Sequence, residues 1–211
     1  MYDCLLFDWD GCIVDNLRVW VDVCQEVLAI HGVTPSRDEV WSGFCAGDVP
    51  TVFGVEDKIV CRQQIGDIAR EAFGDVGLYP GVLETLQSLR KRARLAVVSN
   101  TRPELLKRVM ERHPTLAENF DLVLSRDDVQ NTKPHPEGII QVMSYFQVNP
   151  ERTLMIGDSE KDLQAARRAG IDSALFYPPS HHDLYNLTDL MRDRPTYVIS
   201  EYKALVEIQK R

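Results

Sequence analysis

Carboxylates stand at the ends of two short apolar runs in this chain. Asp8 closes the run DCLLFD, with Asp10 and Gly11 directly after it, and Asp158 closes TLMIGD, with Asp162 following in the next helical turn. Two further runs lead into polar side chains: RLAVVSN delivers Ser99 and Asn100, and beyond FDLVLS lies Asn131-Thr132-Lys133-Pro134-His135-Pro136. Several carboxylates converging on one pocket repel one another, and they stay ionised at neutral pH only beside a strong positive charge. A magnesium ion supplies such a charge, since it favours hard oxygen ligands and takes a phosphate into the same shell. Magnesium and phosphate are therefore implied together.

For these residues to meet, the runs must be neighbouring strands. Segments 3–8, 94–100, 120–125, 153–158 and 172–177 are nearly continuous in apolar residues, as expected of strands covered on both faces, and PTYVIS (195–200) adds another. Helical spacing fills the gaps. Pro80 to Arg92 places Val82, Leu83, Leu86 and Leu89 on one face and ends in basic residues, which suits the helix dipole. Thr101 to His113, His135 to Phe146, Glu160 to Ala169 and Glu201 to Lys210 repeat the pattern. This alternation predicts an α/β fold, a Rossmann-like parallel sheet with helices on both faces. In such sheets ligands gather at the C-terminal edge of the strands, where the polar residues above lie.

The stretch 16–79 breaks the alternation. Leu17, Val21, Cys24, Val27 and Leu28 predict one amphipathic helix, Ile59 to Phe73 another, and Asp38 to Phe44 a shorter one, with no convincing buried strand among them. The stretch is too long for an ordinary crossover. It reads as a small all-α domain inserted into a core made of 1–15 and 80–211, with hinges near Asp15 and Leu78 to Gly81. Gly, Pro and polar clusters at Val33 to Ser36, Gly43 to Thr51 and Tyr177 to His182 read as loops.

Composition narrows the partners. The 211 residues carry 24 Lys and Arg against 32 Asp and Glu, a formal net charge of −8, with 44% hydrophobic and 27% charged residues. A globular chain is expected, and its acidity argues against a grip on nucleic-acid phosphates or anionic lipid. No run of about 18 apolar residues occurs. The N-terminal segment lacks the basic flank and apolar stretch of a signal peptide, so a cytoplasmic protein without nucleic-acid or membrane partners is expected. Cys4, Cys12, Cys24, Cys45 and Cys61 have no CxxC spacing and fit a reducing compartment.

Taken in order, FDWDGCIVD, VVSNT, TKPHP and IGDSEKD resemble the four motifs of the haloacid dehalogenase superfamily. The helical insert between the first and second motifs resembles its subclass with a type I cap, the group holding phosphoglycolate-phosphatase-like enzymes. The resemblance spans essentially the whole chain. It implies a phosphatase for a small phosphorylated metabolite, with Mg2+ as cofactor, working as a monomer or homodimer. It casts Asp8 as the nucleophile that forms an aspartyl-phosphate, and Asp10 as acid and base, its backbone carbonyl helping to hold the metal. Asp158 and Asp162 would complete the metal site with Asp8. Ser99, the Asn100 backbone amide and Lys133 would hold the phosphoryl oxygens, and Lys133 would also orient Asp8. Two positions depart from the family pattern: Cys12 stands where threonine is frequent, and the bulky Trp9 separates the two aspartates. Cys12, next to the site, reads as a buried inert thiol, with oxidation sensitivity of the activity as the alternative.

Specificity must come from the insert, because the motifs see only the phosphoryl group. The loop 42–54 holds no Lys or Arg, which weighs against a substrate with a second anionic group such as phosphoglycolate or a bisphosphate. Arg18, Lys58 and Arg62 read as exposed helix residues with the option of reaching inward, and Trp20, Trp41, Phe44 and Phe53 as insert core with the option of lining a leaving-group pocket. The pair His181-His182 resembles a metal ligand only superficially. A phosphomutase of the β-phosphoglucomutase type shares all four motifs and stays open as an alternative, as does a non-catalytic phosphate-binding protein. Asp10 argues against a dehalogenase acting on carbon, and a phosphonatase would need a cap lysine, for which Lys58 is the single candidate.

Overall fold

The computed structural model, which describes residues 1–210, has the expected parallel sheet with both faces covered. The strands are β1 (Cys4–Phe7), β2 (Val14–Asp15), β3 (Gly77–Leu78), β4 (Arg94–Val98), β5 (Leu122–Leu124), β6 (Thr153–Gly157), β7 (Asp172–Phe176) and β8 (Tyr197–Ile199). The helices are α1 (Leu17–Ile30), α2 (Arg37–Ala46), α3 (Val49–Val52), α4 (Lys58–Ala72), α5 (Val82–Leu89), α6 (Pro103–Arg112), α7 (Pro114–Ala117), α8 (Glu137–Phe146), α9 (Glu160–Ala169), α10 (Leu187–Leu190) and α11 (Lys203–Ile208). No helix among the described residues is long and apolar enough to cross a membrane.

Successive side chains of a strand point to opposite faces, so a sheet covered twice needs apolar residues at every position. In β1, Leu5 and Phe7 join Leu95 and Val97 of β4 in one core, which α5, α6 and α11 close with Leu86, Leu105 and Leu205. Cys4 and Leu6 join Ala96 and Val98 in the other, closed by Ile139 and Val142 of α8 and Ala165 of α9. The strand order is β5-β4-β1-β6-β7-β8, and every pairing is parallel. The chain leaves β1 toward β4 and β5, then returns past β1 to build β6, β7 and β8. That reversal opens a crevice at the C-terminal ends of β1 and β6, where Asp8 and Asp158 emerge.

Helices α1 to α4 occupy the segment between β2 and β3 and share a core of Leu17, Val21, Val27, Leu28, Val40 and Cys61. β2 and β3 pair antiparallel, Val14 with Leu78 and Asp15 with Gly77, as a ribbon at the two junctions of the insert. Strands of two residues carry no legible period, so this ribbon was not expected.

The loop expected at Gly43 to Thr51 is mostly helix. A capping box of Ser36 and Glu39 starts α2, which runs on to Ala46. Asp48 then caps α3 by accepting from the Thr51 N–H, and Pro50 fits the first turn of that helix, where no N–H is needed. Elsewhere helices are shorter than their apolar spacing suggests: Pro80 to Arg92 contracts to Val82–Leu89 because Pro80 and Gly81 form the turn before it.

Candidate active site

The first motif is built by backbone geometry. The Asp8 N–H donates to the Ile156 carbonyl at 2.8 Å, which carries the pairing of β1 with β6 one residue past the strand end. The N–H groups of Ile13 and Val14 then both fold back on the Trp9 carbonyl, at 2.9 and 3.0 Å. Gly11 sits in this turn at φ +71°, and a Cβ there would run into the Asp158 carboxylate. Glycine thus meets a backbone demand and a packing demand at once.

Around this turn the structure gathers the motif residues. Lys133 is buried, with Nζ 2.6 Å from Asp8 Oδ1 and 2.7 Å from Asp162 Oδ1. One ligand oxygen from each of Asp8, Asp158 and Asp162 lies within 4.8 Å of the others. Asp162 has both oxygens engaged, since Oδ2 accepts from the Ser159 N–H and hydroxyl at 3.1 and 2.6 Å and so caps α9. Ser99 is buried and its oxygen accepts from the Thr101 N–H at 3.0 Å, which leaves its hydroxyl hydrogen free to donate. The Asn100 N–H makes no hydrogen bond among the described residues, and its side chain clasps the Lys133 backbone, Nδ2 to the carbonyl at 2.8 Å and Oδ1 from the N–H at 2.9 Å. That side-chain role was not read from the sequence, because Asn100 and Lys133 meet only when β4 and the loop after β5 are neighbours.

The electrostatics of the cluster are unbalanced. Burial, then the charge of Asp162, pushes Asp8 up to about 7 against the opposing pull of Lys133. Burial, with Asp162 and Asp8 beside it, raises Asp158 well above the usual carboxylate range. Burial disfavours the Lys133 charge, but Asp162 and Asp8 outweigh it and raise the lysine. One ammonium does not compensate three carboxylates removed from water.

Residues 5–176 match the family model of the haloacid dehalogenase-like hydrolases. The chain belongs to that family. It is 25% identical over 210 residues to phosphoglycolate phosphatase of Aquifex aeolicus, covering 97% of this chain and 95% of the relative. It is 26% identical over 179 residues to N-acetylmuramic acid 6-phosphate phosphatase of Pseudomonas putida, covering 81% and 80%. The solved structure of a protein assigned as a phosphoglycolate phosphatase, from Lactobacillus plantarum, superposes with a TM-score of 0.87 at 24% identity, covering 99% of both chains. At that identity the likeness speaks for the fold.

A divalent cation suits this hydrolase. The donors are hard carboxylate oxygens within reach of one another, and the raised Asp8 and Asp158 show a deficit of positive charge at that point. Asp8 and Asp158 are the acids with an oxygen to spare, whereas Asp162 is held by Lys133 and Ser159.

Asp10 is held by three donors, two of which, Asn16 and Trp20, lie outside the motifs. Asn16 Nδ2 and Trp20 Nε1 donate to Oδ1, the latter at 3.0 Å, and Thr101 Oγ1 donates to Oδ2. Trp20 comes from the insert and Thr101 from the core, so both parts of the hydrolase hold this one side chain.

Above the cluster lies a cavity of about 950 Å³ between the insert and the strand ends. Trp20, Trp41 and Phe44 line it, with the Phe44 ring centre 5.7 Å from that of Trp20 and 5.8 Å from that of Trp41, so the aromatic residues are buried packing and cavity wall together. Phe53 stays within the insert core. Arg62 reaches the cavity but is committed to Asp48 through two bonds of 2.7 Å, and Arg18 pairs with Asp183. Arg102, Arg126 and Lys161 line the cavity from the core side and had not been singled out. Arg102 and Arg126 extend from the segments after β4 and β5 and Lys161 from the first turn of α9, and a common cavity is visible only in the folded chain.

Burial decides two further readings. Cys12 is fully buried, and burial pushes its thiol well above the ordinary value, so the hydrolase carries no reactive thiolate there. His181 is buried, Nε2 lies 2.7 Å from the Tyr79 hydroxyl, and burial lowers it to about 4.

Proposed function

We propose that Asp8 is the nucleophile of a Mg2+-dependent phosphatase that works through an aspartyl-phosphate. The enzyme is a phosphatase for small phosphorylated metabolites. What carries the mechanism is Lys133 bridging Asp8 and Asp162 at the sheet crevice, with Asp158 beside them and the cavity above. An oxygen of Asp8 attacks phosphorus, the ester P–O bond breaks, and Asp10 gives a proton to the departing oxygen. Asp10 then takes a proton from water, the water oxygen attacks phosphorus, and the bond to Asp8 breaks to release phosphate. Ser99, the Asn100 N–H and Lys133 hold the phosphoryl oxygens while charge spreads over them. Asp8, Asp158 and the Asp10 carbonyl would hold Mg2+, which would supply positive charge at the phosphate. Asp162 serves mainly by fixing Lys133 and capping α9.

The insert 16–79 acts as a cap domain hinged on the β2/β3 ribbon, over a core of 1–15 and 80–211. The curated relatives named above act on different compounds, and the 42–54 loop lends the cavity no free cation, so the leaving group stays at the level of a small metabolite. A cytoplasmic monomer or homodimer fits an acidic chain in which no described helix is long and apolar enough to cross a membrane.

The deciding experiment is a panel of phosphate esters with and without Mg2+, including Asp8→Asn. Turnover that needs Mg2+ and vanishes in Asp8→Asn, with the fold retained by circular dichroism, is expected. No turnover across the panel, or near wild-type rates in Asp8→Asn, would reject the mechanism. A requirement for a bisphosphate activator would move the chain to the phosphomutases.

A further inference from the structure

The loop after β7 belongs to none of the four motifs, yet it touches both the acidic cluster and the insert. Tyr185 in this loop donates its hydroxyl to Asp158 Oδ2 at 2.7 Å. The backbone of Gly11 closes off another side of the same oxygen. Asp158 accepts no second side-chain or backbone hydrogen bond among the described residues, so this one donor sets the rotation of its carboxylate.

The other side of the loop is fastened to the insert. The Tyr185 ring packs edge-on against Trp41 of α2, with centroids 4.9 Å apart, and Trp41 Nε1 donates to the Leu184 carbonyl. Arg18 of α1 grips both oxygens of Asp183 at 2.8 and 2.7 Å. Residues 183, 184 and 185 in succession therefore bind the insert, and the last of them also binds Asp158.

We propose that Tyr185 is a positioning residue that orients Asp158 for the cation and makes cation binding depend on where the insert sits. The inference rests on the cation site proposed above. When the insert swings away, Trp41 leaves the Tyr185 ring and the hydroxyl loses the packing that aims it. By linkage, a cation that binds better when Tyr185 is aimed must itself favour the closed insert. A partner that orients a ligand from outside the metal shell commonly matters nearly as much as the ligand.

The test titrates Mg2+ alone into the full metal-stripped chain by calorimetry, for wild type, Tyr185→Phe, Trp41→Phe and the double variant, with thermal unfolding in chelator alongside. Tyr185→Phe should bind Mg2+ on the order of tenfold more weakly while its unfolding midpoint stays near wild type. Trp41→Phe, which keeps a ring but loses the indole N–H, should weaken binding less, and the double variant should bind no more weakly than Tyr185→Phe, since both act through one hydroxyl. Wild-type Mg2+ affinity in Tyr185→Phe overturns the positioning role. Additive losses in the double variant overturn the dependence on the insert, as does unchanged affinity in Trp41→Phe should Tyr185→Phe unfold early. Wild-type protein that takes up no Mg2+ overturns the cation site itself, whereas uptake abolished by Asp158→Asn but untouched by Tyr185→Phe overturns this inference alone.

Discussion

Lys133 is the one ammonium set among three buried carboxylates, touching Asp8 and Asp162 while Asp158 stands beyond its reach. With all three acids ionised, three negative charges against one positive would leave two, the deficit that a divalent cation would balance. Asp8, Ser99 and Asp158 were legible because they stand at the ends of apolar runs, and Lys133 and Asp162 because they complete motifs that resemble those of the family. His181 was legible only as a polar residue on a loop. Its buried ring refuses a proton until about pH 4, whereas the unfolded chain accepts one near the ordinary value of 6.5. The folded state therefore binds fewer protons in that window, and stability falls as pH drops from about 6.5 to 4. The contribution is roughly 3 kcal/mol at full effect. His181→Gln should flatten this part of the pH dependence in urea unfolding followed at a series of pH values; an unchanged slope would count against a neutral buried imidazole.

At the scale of elements, one turn serves both structure and chemistry. β6 ends at Gly157, Asp158 enters the cluster, and Ser159 with Asp162 forms the capping box that starts α9. The same Asp162 holds Lys133, so the helix cap and the lysine share one carboxylate. A Cβ at Gly157 would stand 2.6 Å from Asp162 Oδ2 and closer still to its Cβ and Cγ, with no flexible neighbour to yield. Gly157→Ala should therefore cost about 1–3 kcal/mol by overpacking. It should also lose Mg2+-dependent turnover, because Asp162 is displaced from Lys133. Urea midpoints and phosphate release measure the two effects, and a stable, fully active variant would refute the shared role. Elements of eight residues or more were well announced by their periods, whereas β2, β3 and α3 were not, since two to four residues define no period.

At the scale of the molecule, the insert is joined to the sheet by the short β2/β3 ribbon and by side-chain contacts that cross to the loop after β7 and to Asp10. A ribbon of two residue pairs is by itself a weak joint, and Trp20, Val23, Ala69 and Phe73 of the insert add to it by packing into the core under the sheet. The cavity lies between the two parts, so movement of the insert would change access to it. Small-angle scattering should show a smaller radius of gyration with Mg2+ and vanadate than with neither, and identical profiles would argue for a fixed insert.

The sequence by itself determined the sheet, the helices of the core, the helical character of the insert and the acids that face the crevice. Each of these depends on local pattern: apolar runs need two covered faces, and the residue after a strand must emerge at its edge. Tertiary structure alone decided that Tyr185 aims Asp158, that the Asn100 side chain clasps Lys133, that Trp20 holds Asp10 and that Asp48 neutralises Arg62. Those pairs are set by strand order and by the paths of loops, so spacing along the chain carries no signal for them. A hydrogen bond needs its atoms within about 3 Å, and only the folded backbone brings residues so distant in sequence to that range.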